Sequence, residues 1–325
     1  MPRFPLLAGP TPYEAAPHLA AALGLGRLHV KREDLSGAAL GGNKIRSIEL
    51  ILGAARAAGA DTVLTTAASQ SNFCRALAGC AARAGMGCRL LLRRAGGMEE
   101  TGNLLLMRLF GAEIAWTDAT DPWDPAITAE LDAMADAVRA EGGVPFVVQL
   151  PGETAALAAS AWALAAEELV EDFDRAGSAP DLLALACGSG LTLAGLALGF
   201  AELGLPVRLL GVSVQQPVSR LRPWVEEVVG RTAALLGWDA AGAMDRVTIT
   251  DDRIAPGYAK PSPDGLDALR LAARTEGLAL DPSYTAKAMA GLAGAVGGLV
   301  PRRGAAAFLH SGGTPTLFQQ AAALR

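Results

Sequence analysis

The chain has few of the residues that build metal centres or covalent cross-links. Its four cysteines, Cys74, Cys80, Cys88 and Cys187, form no CxxC pair, and its three histidines, His18, His29 and His310, fall at no ligand spacing. A zinc site and a disulfide framework are therefore not expected. Positive charge is not in excess either: 28 Lys and Arg stand against 33 Asp and Glu, for a net charge of -5. Nothing is left over to neutralise a phosphate backbone, so nucleic acid is not an expected partner. Long apolar runs are also missing. The most apolar tract, residues 155–166, is Ala-rich and too short to span a bilayer, and the opening Met1-Pro-Arg-Phe-Pro-Leu-Leu7 lacks the apolar core of a signal peptide. The expectation is a soluble cytoplasmic protein without a membrane partner. No internal repeat or low-complexity block interrupts it.

What is present is enough apolar material for more than one core. The 325 residues are 51% hydrophobic, a length that suits two α/β lobes with a cleft between them. Short β-like runs at 62–66, 89–92, 113–116, 146–149, 182–186, 208–214 and 306–309 alternate with longer Ala/Leu-rich runs. Helices are expected from about Asn72, through 104–109, from 150 to about Asp174, and over 192–203. This alternation predicts parallel sheets covered on both faces, a three-layer α/β/α architecture with right-handed crossovers.

In open parallel sheets, ligands sit beyond the carboxyl ends of the strands. Four loops rich in Gly, Ser, Thr and Asn are candidates: Gly41-Gly42-Asn43-Lys44, Ser69-Gln70-Ser71-Asn72, Gly188-Ser189-Gly190-Leu191-Thr192 and Ser311-Gly312-Gly313-Thr314. Lys44 opens a run in which Ile45, Ile48, Ile51 and Leu52 share one helical face. An amine fixed there and partly desolvated suits covalent attachment of a cofactor; a solvated first-turn lysine is the plainer alternative. After the run 182–186, residues Cys187 to Thr192 turn into a helix and offer bare N–H groups to a phosphate, with Ser189 and Thr192 as hydroxyl donors. The same loop also reads as an ordinary tight connection. It is neither a Walker motif, since no Lys follows, nor G-x-G-x-x-G, since Leu193 takes the third glycine's place. Asn72 is either an N-cap or an amide aimed at a cofactor ring. Ser71 is a carboxylate contact or proton relay. Tyr284 at a helix start and Tyr258 in a Gly-Tyr loop either line a site or close a core edge.

Taken in order, Val30-Lys-Arg-Glu-Asp-Leu35, Gly41-Gly-Asn-Lys44, Gln70-Ser-Asn72, Gly102-Asn-Leu-Leu105, Gly188-Ser-Gly190, Gly257-Tyr258, Asp281-Pro-Ser-Tyr-Thr285 and His310-Ser-Gly-Gly-Thr-Pro315 resemble the D-cysteine desulfhydrase and 1-aminocyclopropane-1-carboxylate (ACC) deaminase family of pyridoxal-phosphate enzymes. The resemblance covers about residues 18–318. It implies the two-lobed fold of the tryptophan synthase β subunit, fold type II. A large cofactor lobe would comprise 1–47 and 162–325, with a small mobile lobe at 48–161, in a homodimer.

The resemblance further implies that pyridoxal 5'-phosphate is carried on Lys44. Asn72 would bond its phenolic oxygen, and the loop of Cys187, Gly188, Ser189, Gly190, Leu191 and Thr192 would hold its phosphate. Thr285 and Ser311 would lie by its ring. A small amino acid would be bound by Gln70, Ser71, Asn72, Phe73, Tyr258 and Tyr284. Lys44, Ser71, Tyr258 and Tyr284 would carry catalysis. ACC deaminases place Glu after the motif tyrosine and Leu after the final histidine, whereas desulfhydrases place hydroxyls at both; Thr285 and Ser311 match the latter. The physical reason is the pyridine nitrogen, which a carboxylate keeps protonated and a neutral hydroxyl does not. The implied reaction is α,β-elimination, with D-cysteine giving pyruvate, ammonia and sulfide. ACC deamination, elimination from another β-substituted alanine such as cysteate, and a binding module without turnover are the alternatives. Three positions depart from the desulfhydrase pattern: Phe73 replaces His, and Leu191 and Ala286 replace glycines.

Overall fold

Two sheets carry the fold of the computed structural model, which describes residues 1–94, 98–149 and 152–324. The strands are β1 (Tyr13–Ala15), β2 (Arg27–Arg32), β3 (Thr62–Ala68), β4 (Gly87–Arg93), β5 (Glu113–Thr117), β6 (Pro145–Val148), β7 (Leu182–Cys187), β8 (Arg208–Ser213), β9 (Val247–Thr250) and β10 (Ala305–His310). One sheet has four strands in the order β5-β4-β3-β6, and the other six in the order β1-β2-β10-β7-β8-β9. All pairings are parallel except that of β1 with β2. All seven runs expected from the sequence are strands. Missed were β1, β2 and β9. Two of them are short outermost strands, and β2 alternates charged residues that read as surface, although Lys31 is buried in an ion pair with Asp172 at 2.6 Å.

A single apolar cluster runs beneath both sheets, joining Val63, Leu90 and Leu92 to Leu183, Leu185 and Leu209. Its middle is two Ala/Gly-rich helices, Ala155–Leu164 and Leu191–Glu202. Their backbones approach so closely that a Cβ on Gly195 would meet the Ala159 carbonyl oxygen at 2.2 Å, and one on Gly199 the Ala163 oxygen at 2.4 Å. Small residues are what permits this contact, and they explain why neither helix shows an amphipathic stripe. The single helix expected to run to about Asp174 is two, with Ala165 as the junction before Ala166–Arg175. The second piece is amphipathic, and its Glu168 and Asp172 reach Lys31.

The helix Lys44–Ala57 buries Ile45, Ile48, Ile51 and Leu52 as expected, but Arg46, Ser47 and Glu49 are buried as well. Each has a partner. Arg46 pairs with Glu33 at 2.7 Å and Glu168 at 2.8 Å, and Glu49 accepts the Leu6 and Leu7 N–H groups. The helix is thus clamped on every side, and its first residue, Lys44, is held in a fixed place. Among the described residues no helix is long and apolar enough to cross a membrane.

Candidate active site

The carboxyl ends of β3, β4, β7 and β10 open on one cavity. Its wall includes Lys44, Ser71, Asn72, Phe73, Gly188, Ser189, Tyr258, Tyr284 and Ser311, so nine of the expected site residues meet in space from positions far apart in sequence. Asn43, just before Lys44, is tied at two points. Asn43 N–H donates to the Ser311 carbonyl at 3.1 Å, and Asn43 Nδ2 donates to Thr192 Oγ1 at 3.0 Å. Lys44 itself has no hydrogen bond or ion pair among the described residues. Burial without a carboxylate partner pulls its pKa from 10.5 down to about 8, because desolvation penalises the ammonium form.

Ser71, not Asn72, caps the helix Asn72–Ala84: its Oγ accepts the Cys74 N–H at 3.2 Å. That bond uses an oxygen lone pair and not the hydroxyl proton, and Ser71 itself lines the cavity. Asn72 stands one residue inside the helix, and its Oδ1 accepts from Asn103 Nδ2 at 2.9 Å. Gln70 turns away from the cavity. Its Nε2 donates to the Thr101 carbonyl, and its Oε1 accepts the Asn103 N–H at 2.9 Å, so it splices the loop to the helix Gly102–Leu109. Phe73 is buried on the cavity wall.

In the glycine loop, Gly188 and Ser189 face the cavity while Cys187, Gly190, Leu191 and Thr192 stand behind it. The Cys187 thiol is directed toward Gly211 of β8, where a Cβ would lie 2.9 Å from its Sγ, and burial pushes its pKa up to about 12. Gly190 has φ +77°, and a Cβ there would fall 2.6 Å from Val225 Cγ2. Only glycine makes this turn without strain. No side chain caps the helix Leu191–Glu202 that follows, so its first-turn N–H groups lack a partner within the helix. The Ser189 carbonyl accepts Trp224 Nε1 at 3.0 Å, which pins the loop from outside.

Tyr258 and Tyr284 place their hydroxyls 2.6 Å apart with their rings edge to face. Burial raises the pKa of both. Lys287 holds the Tyr258 loop, its buried ammonium donating to the carbonyls of Ile254 at 2.9 Å and Gly257 at 3.1 Å. The Tyr284 turn is organised by buried Asp281, whose carboxylate accepts the N–H groups of Ser283, Tyr284 and Thr285. Thr285 is off the cavity wall; its Oγ1 donates to Asp281 Oδ1 at 2.8 Å.

The cavity also holds residues that sequence reasoning missed: Arg93, Trp123, Gln215, Gln216, Arg220 and Trp224. Arg93 is the last residue of β4, directly after the expected run 89–92, so the rule that ligands sit beyond strand ends could have found it. Nothing in the sequence marks the others. Trp123 and Trp224 come from opposite sides of the mouth and meet edge to face at 5.0 Å, with the Arg220 guanidinium over Trp123 at 5.2 Å.

Comparison with known proteins agrees with this geometry. A family model described as pyridoxal-phosphate dependent enzyme matches residues 5–312. The chain is 37% identical over 327 aligned positions to the D-cysteine desulfhydrase of Salmonella typhi, covering 98% of this chain and 95% of that protein, and equally so to that of Salmonella newport strain SL254. Among solved structures, an ACC deaminase homologue superposes with a TM-score of 0.89 at 29% identity, over 100% of this chain and 95% of the other. O-ureido-L-serine synthase, at 16% identity and a TM-score of 0.68, shares the fold. A family match over nearly the whole length, on a cavity built around an unpartnered lysine, shows that the chain belongs to the pyridoxal-phosphate-dependent enzymes.

Proposed function

We propose that this chain is a lyase that eliminates the β substituent of a small amino acid, with D-cysteine giving pyruvate, ammonia and sulfide. The observation that carries the reading is the partnerless Lys44 amine on one wall with Ser71, Asn72 and the uncapped glycine loop. These residues fit pyridoxal phosphate. A partly neutral amine, free N–H groups at a helix end and a fixed amide are the donors and nucleophile such a group needs. When bound, the cofactor supplies the electron withdrawal that stabilises negative charge at Cα. The relatives' names supply the substrate, and among the described residues no carboxylate lines the cavity to hold a proton on the pyridine nitrogen, which favours elimination of a thiolate over ring opening.

The protein's own contributions follow from the geometry. Lys44, with a pKa near 8, has about a tenth of its amine neutral at pH 7, enough to attach the cofactor and then to take the Cα proton. Asn103 fixes the Asn72 amide so that its N–H2 faces the cavity and can donate to the phenolic oxygen. Ser71 presents its proton to the substrate carboxylate. The tyrosine pair shares one proton internally and keeps a second to give to the departing sulfur, because both phenols stay protonated. Phe73 and the two tryptophans shield the site from water.

We further propose a homodimer in the cytoplasm, with the segment 48–161 moving as a small lobe. Four buried, unpaired cysteines suit a reducing compartment. Exposed Leu105, Leu109 and Phe318 offer apolar surface for a second copy. The deciding experiment is pyruvate and sulfide release by the cofactor-loaded protein, with D-cysteine, L-cysteine and ACC run in parallel. Pyruvate with sulfide from D-cysteine alone is expected; pyruvate from ACC alone would overturn the reading.

A further inference from the structure

Four consecutive residues just ahead of the lysine have left-handed backbone: Ala39 at φ +49°, Leu40 at +63°, Gly41 at +63° and Gly42 at +110°. Glycine adopts such angles freely, but alanine and leucine are strained there. A turn of this kind persists only where its surroundings over-determine it. Two of its ties are local. The Gly42 N–H donates to the Glu33 carbonyl at 2.9 Å, and Ser36 Oγ donates to the Gly42 carbonyl at 3.0 Å. Both act on Gly42, and neither reaches the two strained residues.

A further hold comes from Arg75, on the helix Asn72–Ala84. Its Nη1 donates to the Ala39 carbonyl and its Nη2 to the Gly41 carbonyl at 3.0 Å. Arg75 is 1% exposed. Among the described residues its guanidinium bonds these two carbonyls and no carboxylate, and its Nε has no acceptor. Arg46, also buried, is matched by Glu33 and Glu168. A buried cation without an anion is costly, and burial draws the Arg75 pKa down to about 10. The planar fork of arginine, unlike a point charge, fixes two acceptors at once. The same helix is shaped for the turn a second time. Gly79 follows Arg75 by four residues on one helical face, and a Cβ there would fall 2.5 Å from Ala39 Cβ and 3.1 Å from the Phe110 ring. The side chain that Gly79 lacks leaves the space that Ala39 fills.

This helix is capped by Ser71 and brings Asn72 and Phe73 to the cavity wall, which Arg75 itself does not line. We propose that Arg75 is a positioning residue: by gripping the carbonyls of Ala39 and Gly41 it holds the left-handed turn that places Lys44, and keeps the lysine amine in register with Ser71 and Asn72. The proposal rests on the reading of Lys44 as the amine that carries the cofactor, but the grip is measurable without the cofactor. A lysine released from the turn reaches water, and its pKa returns from about 8 toward 10.5.

The test is competitive acetylation of the cofactor-free protein by trace acetic anhydride, from neutral to alkaline pH, with Lys44 compared with exposed Lys260 by peptide mass. In the wild type Lys44 should titrate well below Lys260. Arg75→Met should raise the Lys44 midpoint by about one pH unit or more. Adding Leu40→Gly, which relieves an exposed left-handed position and restores no charge, should recover about half of that shift. A shift that Leu40→Gly leaves untouched would assign it to the lost positive charge and overturn the proposal, as would no shift in Arg75→Met or a wild-type Lys44 that titrates with Lys260. Circular dichroism shows whether each variant is folded. If Arg75→Met is not, Gly79→Ala keeps the arginine and presses on the same turn: it should raise the midpoint, and Ala39→Gly, which removes the opposing Cβ, should bring it back. No shift in Gly79→Ala would show that the turn does not set the lysine. Pyridoxal phosphate is then added. A cofactor band that forms about tenfold more slowly in Arg75→Met at neutral pH joins the grip to cofactor attachment, and equal rates would overturn it. No band in the wild type, with the acetylation shifts intact, would sink the cofactor reading and uphold the grip.

Discussion

Lys44 concentrates the chemistry in one atom, and its environment makes a prediction that turnover alone does not. Its pKa is lowered from 10.5 to about 8 by burial, so the unfolded chain binds more protons than the folded one across that window. Stability of the cofactor-free protein therefore rises as pH increases from 8 to 10.5. Lys44→Met should abolish that rise in urea denaturation curves taken at pH 7.5 and pH 10, and should also lose the cofactor band and pyruvate release. Cofactor attachment by the wild type should speed up about tenfold per pH unit below 8 and level off above it, followed by absorbance.

Thr285 makes a second residue-scale case. Because its hydroxyl lies 2.8 Å from Asp281 Oδ1 in a fully buried turn, Thr285→Glu would set two carboxylates together. We expect a loss of about 3 kcal/mol or more in chemical denaturation, relieved by adding Asp281→Asn. An unchanged midpoint in Thr285→Glu would show that the turn can rearrange. At this scale the sequence displayed the residues with distinctive neighbours, such as Lys44 after two glycines. It hid those whose role comes from what they lack. Arg93 is notable only because, among the described residues, no carboxylate pairs with it, and that is a property of folded space.

At the scale of elements, the site depends on two short turns. Gly190, at φ +77° and against Val225, cannot accept a side chain without moving the loop. Gly190→Ala should cost about 1–2 kcal/mol of stability and weaken cofactor retention on dialysis at least tenfold. Ser71→Ala should cost about 1 kcal/mol by uncapping its helix, and Ser71→Thr should restore the stability. Elements with strong period or turn chemistry were legible: the βα alternation, the helix opening at Lys44 and the four polar loops. Where tertiary packing overrides pattern they were not. The break at Ala165 comes just before the piece that brings Glu168 and Asp172 to Lys31, and the cap, Ser71, is one of two adjacent polar residues that a sequence presents as equivalent.

At the scale of the molecule, the two sheets share one apolar core and meet across the cavity mouth through Trp123 on Trp224 and through Arg220, which stacks on Trp123 and pairs with Asp121. Trp123 follows β5 of the smaller sheet, and Trp224 packs over the glycine loop of the larger one. Trp123→Ala should raise KM about fivefold or more with little change in melting temperature; a large drop in the latter would make the contact structural. The assembly prediction is read by sedimentation: a dimer is expected, and Leu109→Glu with Phe318→Glu should shift it toward monomer if those side chains lie at the contact.

The strand order has one more consequence. β10 lies between β2 and β7 and is paired to both, and it is followed at once by Ser311, the anchor for Asn43. A middle strand of the larger sheet is thus the last of the ten described strands to be synthesised. Until residue 310 has emerged, the N-terminal strand pair and the three strands β7 to β9 have no bridge between them, and the lysine loop lacks its anchor at Ser311. The two parts of the larger sheet therefore keep open edges until β10 docks between them, and a pocket whose wall includes Ser311 is incomplete before that strand is in place.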